Sequence, residues 1–218
     1  PYAGFFDIDW NRKGLENRVL LPFLGSDPET ALNNGEFDLE MTDKGLSLCY
    51  HELQFPLDIR SYRLVLPAIS EPGPTRPGGV TKPSADFLNI IRTMADLPPA
   101  AALSPDDELA YRQRQAVKQE FLSLASGFSD TGPSIRDILK PSFAGWNMER
   151  AGQLLSEQIY QLCFWKTGLG AVNYRRFFDI NELICLRQGR AEVFRNTHLL
   201  LPRLIGEGRI NGIRVDHI

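Results

Sequence analysis

The sequence predicts an α+β fold that is largely helical and carries one β-hairpin. Three observations predict it. Between Glu36 and Arg60 apolar and polar residues alternate with the period of two that a half-buried strand shows. From Ser84 onward apolar residues recur at helical spacing instead. Residues 190–218 read as an amphipathic helix, a short Gly-containing loop and a buried strand, which is one αβ step.

In chain order, Phe5 to Trp10 alternates aromatics around Asp7 and Asp9, and a turn follows. Leu15 to Leu24 is apolar and punctuated by Pro22 and Gly25, so it reads as strand or irregular packing. Asp27 to Gly35 reads as one or two capped helical turns. Phe37, Leu39 and Met41 alternate with acidic residues, residues 42–45 turn, and Leu46, Leu48 and Tyr50 alternate again, with His51 to Leu57 continuing the run. Residues 71–83 are rich in Pro and Gly and read as a loop.

A helix is expected over 84–94 with Phe87, Leu88, Ile90 and Ile91 on one side. Another is expected from a Ser104 cap to about Ser126, with Leu109, Ala116, Val117, Phe121 and Leu124 inward. Helical stretches follow near 134–139 and over 147–165, the latter carrying Leu154, Leu155, Ile159 and Leu162. Asn181 reads as the cap of a short helix. Residues 190–205 read as one amphipathic helix burying Val193, Phe194, Leu201, Leu204 and Ile205.

The 218 residues suffice for one or two domains, and the composition is that of an ordinary soluble globular chain. A net charge of -3 gives no basic footprint for nucleic acid. No stretch approaches the roughly 20 apolar residues of a membrane span. Cys49, Cys163 and Cys185 lack metal or redox spacing, so reduced packing cysteines in a cytoplasmic protein are expected. The first residues show neither an initiator Met nor a signal-peptide pattern, and the chain stops two residues after Asp216, so a piece of a longer protein is expected.

No Gly-rich phosphate loop, HExxH, CxxC pair or GxSxG occurs, and no metal or cofactor is expected. In a strand over 211–218, Arg214 and Asp216 share one face. The pair reads either as a structural ion pair or as a carboxylate kept ionised for work as nucleophile or ligand. His51 and His198 read as packing or surface residues, whereas His217 lies beside Asp216 and can reach a pocket rim. Phe6 to Trp10 and Tyr174 to Asp179 combine aromatics with charge, as sugar platforms do, and as packing clusters also do. Arg175 and Arg176 read as clamps for Asp179 or another carboxylate.

Gly212-Ile213-Arg214-Val215-Asp216 resembles the segment at the fourth barrel strand of the α-amylase superfamily. Phe5 to Trp10, Asn173 to Leu183 and Arg214 to Ile218 together resemble the maltooligosyltrehalose synthase family within it. The resemblance implies a (β/α)₈ barrel enzyme without cofactor, acting on maltooligosaccharides. This chain would be the subdomain inserted after the third strand plus one helix and one strand of the barrel. It implies a mixed lobe over 1–103, a helical part over 104–188, and barrel helix and strand over 189–218. Asp216 would be the catalytic nucleophile, with Arg214 and His217 as substrate-site residues. Asp7, Trp10, Arg176, Phe178 and Asp179 are weaker candidates. The implied reaction moves a reducing-end α-1,4 link to an α,α-1,1 link by a retaining route. Another α-amylase-type hydrolase, or a carbohydrate-binding or interaction domain, are the alternatives. The barrel partners of the last helix and strand lie outside this sequence, so exposed apolar surface and self-association are expected.

Overall fold

Alternating residues pair into strands only where a partner exists, and the hairpin shows this first. In the computed structural model, which describes residues 2–66, 85–126, 146, 148–168, 170–178 and 180–215, β2 (Phe37–Thr42) pairs antiparallel with β3 (Gly45–Tyr50). Phe37 faces Tyr50, Leu39 faces Leu48 and Met41 faces Leu46, so one face is apolar as expected. His51 to Leu57 does not continue β3. His51 takes a positive φ of 52°, the chain turns, and β4 (Leu53–Pro56) runs back along β3.

Gly45 closes the hairpin at φ +109°, where a β-carbon would lie 2.3 Å from the Tyr62 hydroxyl oxygen. That hydroxyl accepts the Leu46 N–H at 2.7 Å and is fully buried. Glycine is therefore required both by conformation and by space.

Val19, Leu20 and Leu24 are buried on β1 (Val19–Leu24), which pairs parallel with β5 (Tyr160–Phe164). Pro22 falls inside the register shift between Leu21 and Leu24, where a missing donor costs least. Pairing of β5 corrects the expectation of one helix over 147–165. Helix α5 (Met148–Ser156) ends early, and Gln158 Nε2 donates to the Leu154 carbonyl at 2.6 Å. The next residues then find ladder bonds along β1 that a helix could not give them.

Asp27 accepts from the Thr30 N–H and starts α1 (Pro28–Asn33), as the sequence indicates. The short turn α2 (Tyr62–Val65) and α3 (Ala85–Asp96) bury Tyr62, Phe87, Ile90 and Met94 against Val117 and Phe121 of α4 (Glu108–Ser126). Helix α4 starts at Glu108 rather than Ser104, because Asp107 Oδ1 caps the Ala110 N–H at 3.0 Å. Its inward stripe runs through Arg114, Val117 and Phe121, so Leu109 stays 78% exposed and Ala116 is exposed, contrary to expectation. The short turn α6 (Trp165–Gly168) follows β5. Expectations for 71–83 and 134–139 lie outside the described residues.

One polar cluster joins these elements. Asp58 receives the Arg114 guanidinium at 2.5 and 2.7 Å and the Arg60 N–H at 3.0 Å, while its own N–H donates to Gln158 Oε1 at 2.7 Å. Arg114 also donates to the Pro98 carbonyl at 2.7 Å. Both charged side chains are nearly buried.

The chain divides into two compact units, Asp9–Asn173 and Tyr2–Ile8 with Tyr174–Ile218. In the second, the expected helix over 190–205 is two: α7 (Ala191–Thr197) and α8 (Leu200–Gly206). Pro202 has no N–H for the His198 carbonyl, and its ring crowds that carbonyl, so the helix breaks at His198–Leu199. Val193 is buried, but Phe194 and Ile205 are exposed, and Leu201 and Leu204 only partly covered. Asn181 caps no helix; it lies in a turn. The expected buried strand is absent over 211–215, and Ile213 and Val215 are exposed, because no strand among the described residues pairs with it. No helix among the described residues is long and apolar enough to cross a membrane.

Replacing Arg114 by Met leaves the Asp58 carboxylate buried without its cation. The variant is expected to lose about 3–5 kcal/mol of stability, and adding Asp58→Asn should restore part of it. Urea unfolding of the single and double variants checks this. Burial, then the Glu40 and Asp38 carboxylates, push the Cys49 thiol up to about 11. At pH 8 it should react with iodoacetamide roughly 100-fold more slowly than an ordinary thiol, since only the thiolate attacks. The folded state holds this proton more tightly than the unfolded state. Its contribution to stability is therefore present below about pH 9 and lost as pH rises through 11. Mass-spectrometric labelling and alkaline unfolding read the two effects.

Candidate functional site

The second unit places most of the described candidates. Three short segments run antiparallel: 5–8 beside 184–187, 5–8 beside 174–175, and 175–177 beside 183–185. Isolated bridges join Phe6 to Leu186, Ile8 to Tyr174 and Arg176 to Ile184. Asp7 donates its N–H to the Cys185 carbonyl at 2.8 Å and accepts from the Arg175 N–H at 2.9 Å. Ile8, Tyr174 and Val193 are buried. Gly4 is buried too, and its carbonyl accepts from Arg190 Nη1 at 3.1 Å.

Period-two alternation puts Asp7 on the face opposite Phe6 and Ile8. Its carboxylate lies 3.6 Å from Arg187 Nε and 3.8 Å from Arg175 Nη1. These are ion-pair separations rather than hydrogen bonds, and the group is half-exposed, so solvent screens them. Arg187 is fixed more firmly, because Nη2 donates to the Ile8 carbonyl at 2.5 Å.

Consecutive arginines in an extended segment point to opposite faces, so Arg175 and Arg176 have separate partners. Arg176 Nη1 donates to Asn181 Oδ1 at 2.8 Å, and Tyr174 Oη donates to the Asn181 carbonyl at 3.0 Å. These two bonds tie Tyr174 and Arg176 to Asn181. The Phe177 and Phe178 rings meet edge to face, their centroids 4.6 Å apart. They are 48% and 65% exposed, and Phe178 sits at φ 54°. Positive φ in a bulky non-glycine residue is strained.

Trp10 belongs to the first unit. It is half-buried, and its indole N–H has no hydrogen-bond partner among the described residues. Next to it Asp9 Oδ1 accepts the Asn11 N–H at 3.1 Å. Arg214 is exposed on segment 211–215, which joins no sheet among the described residues. Asp179, Asp216 and His217 lie outside the described residues. The structure thus joins Asp7 to Arg175 and Arg187, and Arg176 to Asn181. No group of three or more metal-ligating side chains occurs among the described residues.

Sequence reasoning missed Asn181 as an acceptor, Arg187 as a partner of Asp7, and Asn173. Asn173 is 2% exposed; its Oδ1 accepts the Leu20 N–H at 3.0 Å, and its Nδ2 donates to the Asp9 and Arg18 carbonyls at 3.0 and 2.9 Å. The adjacent arginines were the available signal for Asn181, since each strand face needs its own acceptor.

No protein-family model matches the chain. Over 98 residues, 44% of its length, it is 36% identical to two Mycobacterium tuberculosis proteins, from strains CDC 1551 and H37Rv. Both carry the provisional name maltooligosyl trehalose synthase. The chain spans 10% of the length of these relatives. Two solved structures align with 99% of the chain: the maltooligosyltrehalose synthase from Arthrobacter ramosus (23% identity, 16% of that chain, TM-score 0.47) and a glycosyltrehalose synthase (20% identity, 18% of that chain, TM-score 0.45).

Because the Asp7 pairs are half-exposed and long, Asp7→Asn should change stability by less than about 1 kcal/mol. Ile8→Ala, which empties a buried position, should cost about 2–4 kcal/mol. Chemical denaturation of the two variants compares them, and the small structural cost leaves Asp7 usable as a probe of chemistry.

Proposed function

We propose that this chain is a segment of a longer intramolecular transglycosylase that turns the reducing-end α-1,4 link of a maltooligosaccharide into an α,α-1,1 link. The observation that carries this reading is the 36% identity over 98 residues to proteins named as maltooligosyl trehalose synthases. The chain would supply part of the inserted subdomain, the barrel helix region as α7 and α8, and the segment that bears the nucleophile.

In this reading Asp216 attacks the anomeric carbon and forms a glycosyl-enzyme ester. Arg214, two residues earlier in the chain, would keep that carboxylate ionised and aimed once the segment pairs as a strand within the longer protein. His217 contacts a sugar hydroxyl at the rim. A retaining transfer also needs a second carboxyl about 5–5.5 Å away, acting first as acid and then as base. That group would come from elsewhere in the longer protein. The released reducing-end glucose stays in place, turns, and its anomeric hydroxyl attacks the ester. Exclusion of water makes this outcome win over hydrolysis.

Product analysis of the complete protein on maltopentaose tests the reading. A non-reducing product ending in an α,α-1,1 link is expected, whereas glucose or maltose as the main product indicates a hydrolase instead. Asp216→Asn should lower kcat by at least about 10³-fold, the scale on which loss of a catalytic group acts. Near-wild-type turnover of that variant would remove Asp216 from the nucleophile role.

A further inference from the structure

We draw no further inference here: the strongest candidate, the Asp7–Arg175–Arg187 charge cluster joining segments 5–8, 174–175 and 184–187 of the second unit, belongs to the site already described, and nothing in the structure shows what covers it.

Discussion

The first unit hangs on the Asp58–Arg114 ion pair. Its two charges meet at 2.5 and 2.7 Å with little access to water. Taken alone, such a pair offsets its own desolvation only narrowly. What it adds is definition. Through Asp58 the turn after β4 is tied to α4, through Arg114 to the Pro98 carbonyl, and through Gln158 to the residues between α5 and β5. Apolar cores tolerate several packings, whereas this cluster is satisfied in one. Tyr160 is buried in the same unit, and burial, then Asp58, pushes its hydroxyl up.

The hairpin was legible in the sequence because its partners are neighbours. Phe37 and Tyr50 are close along the chain, and alternation alone sets their register. Strand β5 was not legible for the opposite reason. Ile159 and Leu162 fit a helical stripe as well as a strand, and the deciding partner is β1, far away in sequence. The start of α4 was misplaced because Ser104 and Asp107 both satisfy cap chemistry, and only the bond to the Ala110 N–H distinguishes them. The break before α8 was written in Pro202, but outweighed by the amphipathic pattern around it.

Legibility of the candidate site was uneven in the same way. The aromatic and charged character of Tyr174 to Asp179 was visible, and Arg175 does face a carboxylate, that of Asp7. The role of Asn181 was hidden because a turn and a helix start use the same residue types. Arg214 could be read as a face-mate of Asp216 only by assuming a strand, and 211–215 forms none with the described residues.

Asn173 carries a consequence for the order of folding. Its side chain and carbonyl meet Asp9, 164 positions earlier in sequence. The first unit is thus a long excursion whose ends are fastened together. The bridge from Ile8 to Tyr174 in the second unit spans 166 positions, nearly the same separation. Closing that span in a flexible chain costs about 4–5 kcal/mol of entropy. Once residues 9–173 have folded and Asn173 has gripped Asp9, the cost is already met. The second unit then assembles from segments whose ends have been delivered to one place. Folding is accordingly expected to run inward-out: the excursion first, and the Ile8–Tyr174 seam after it.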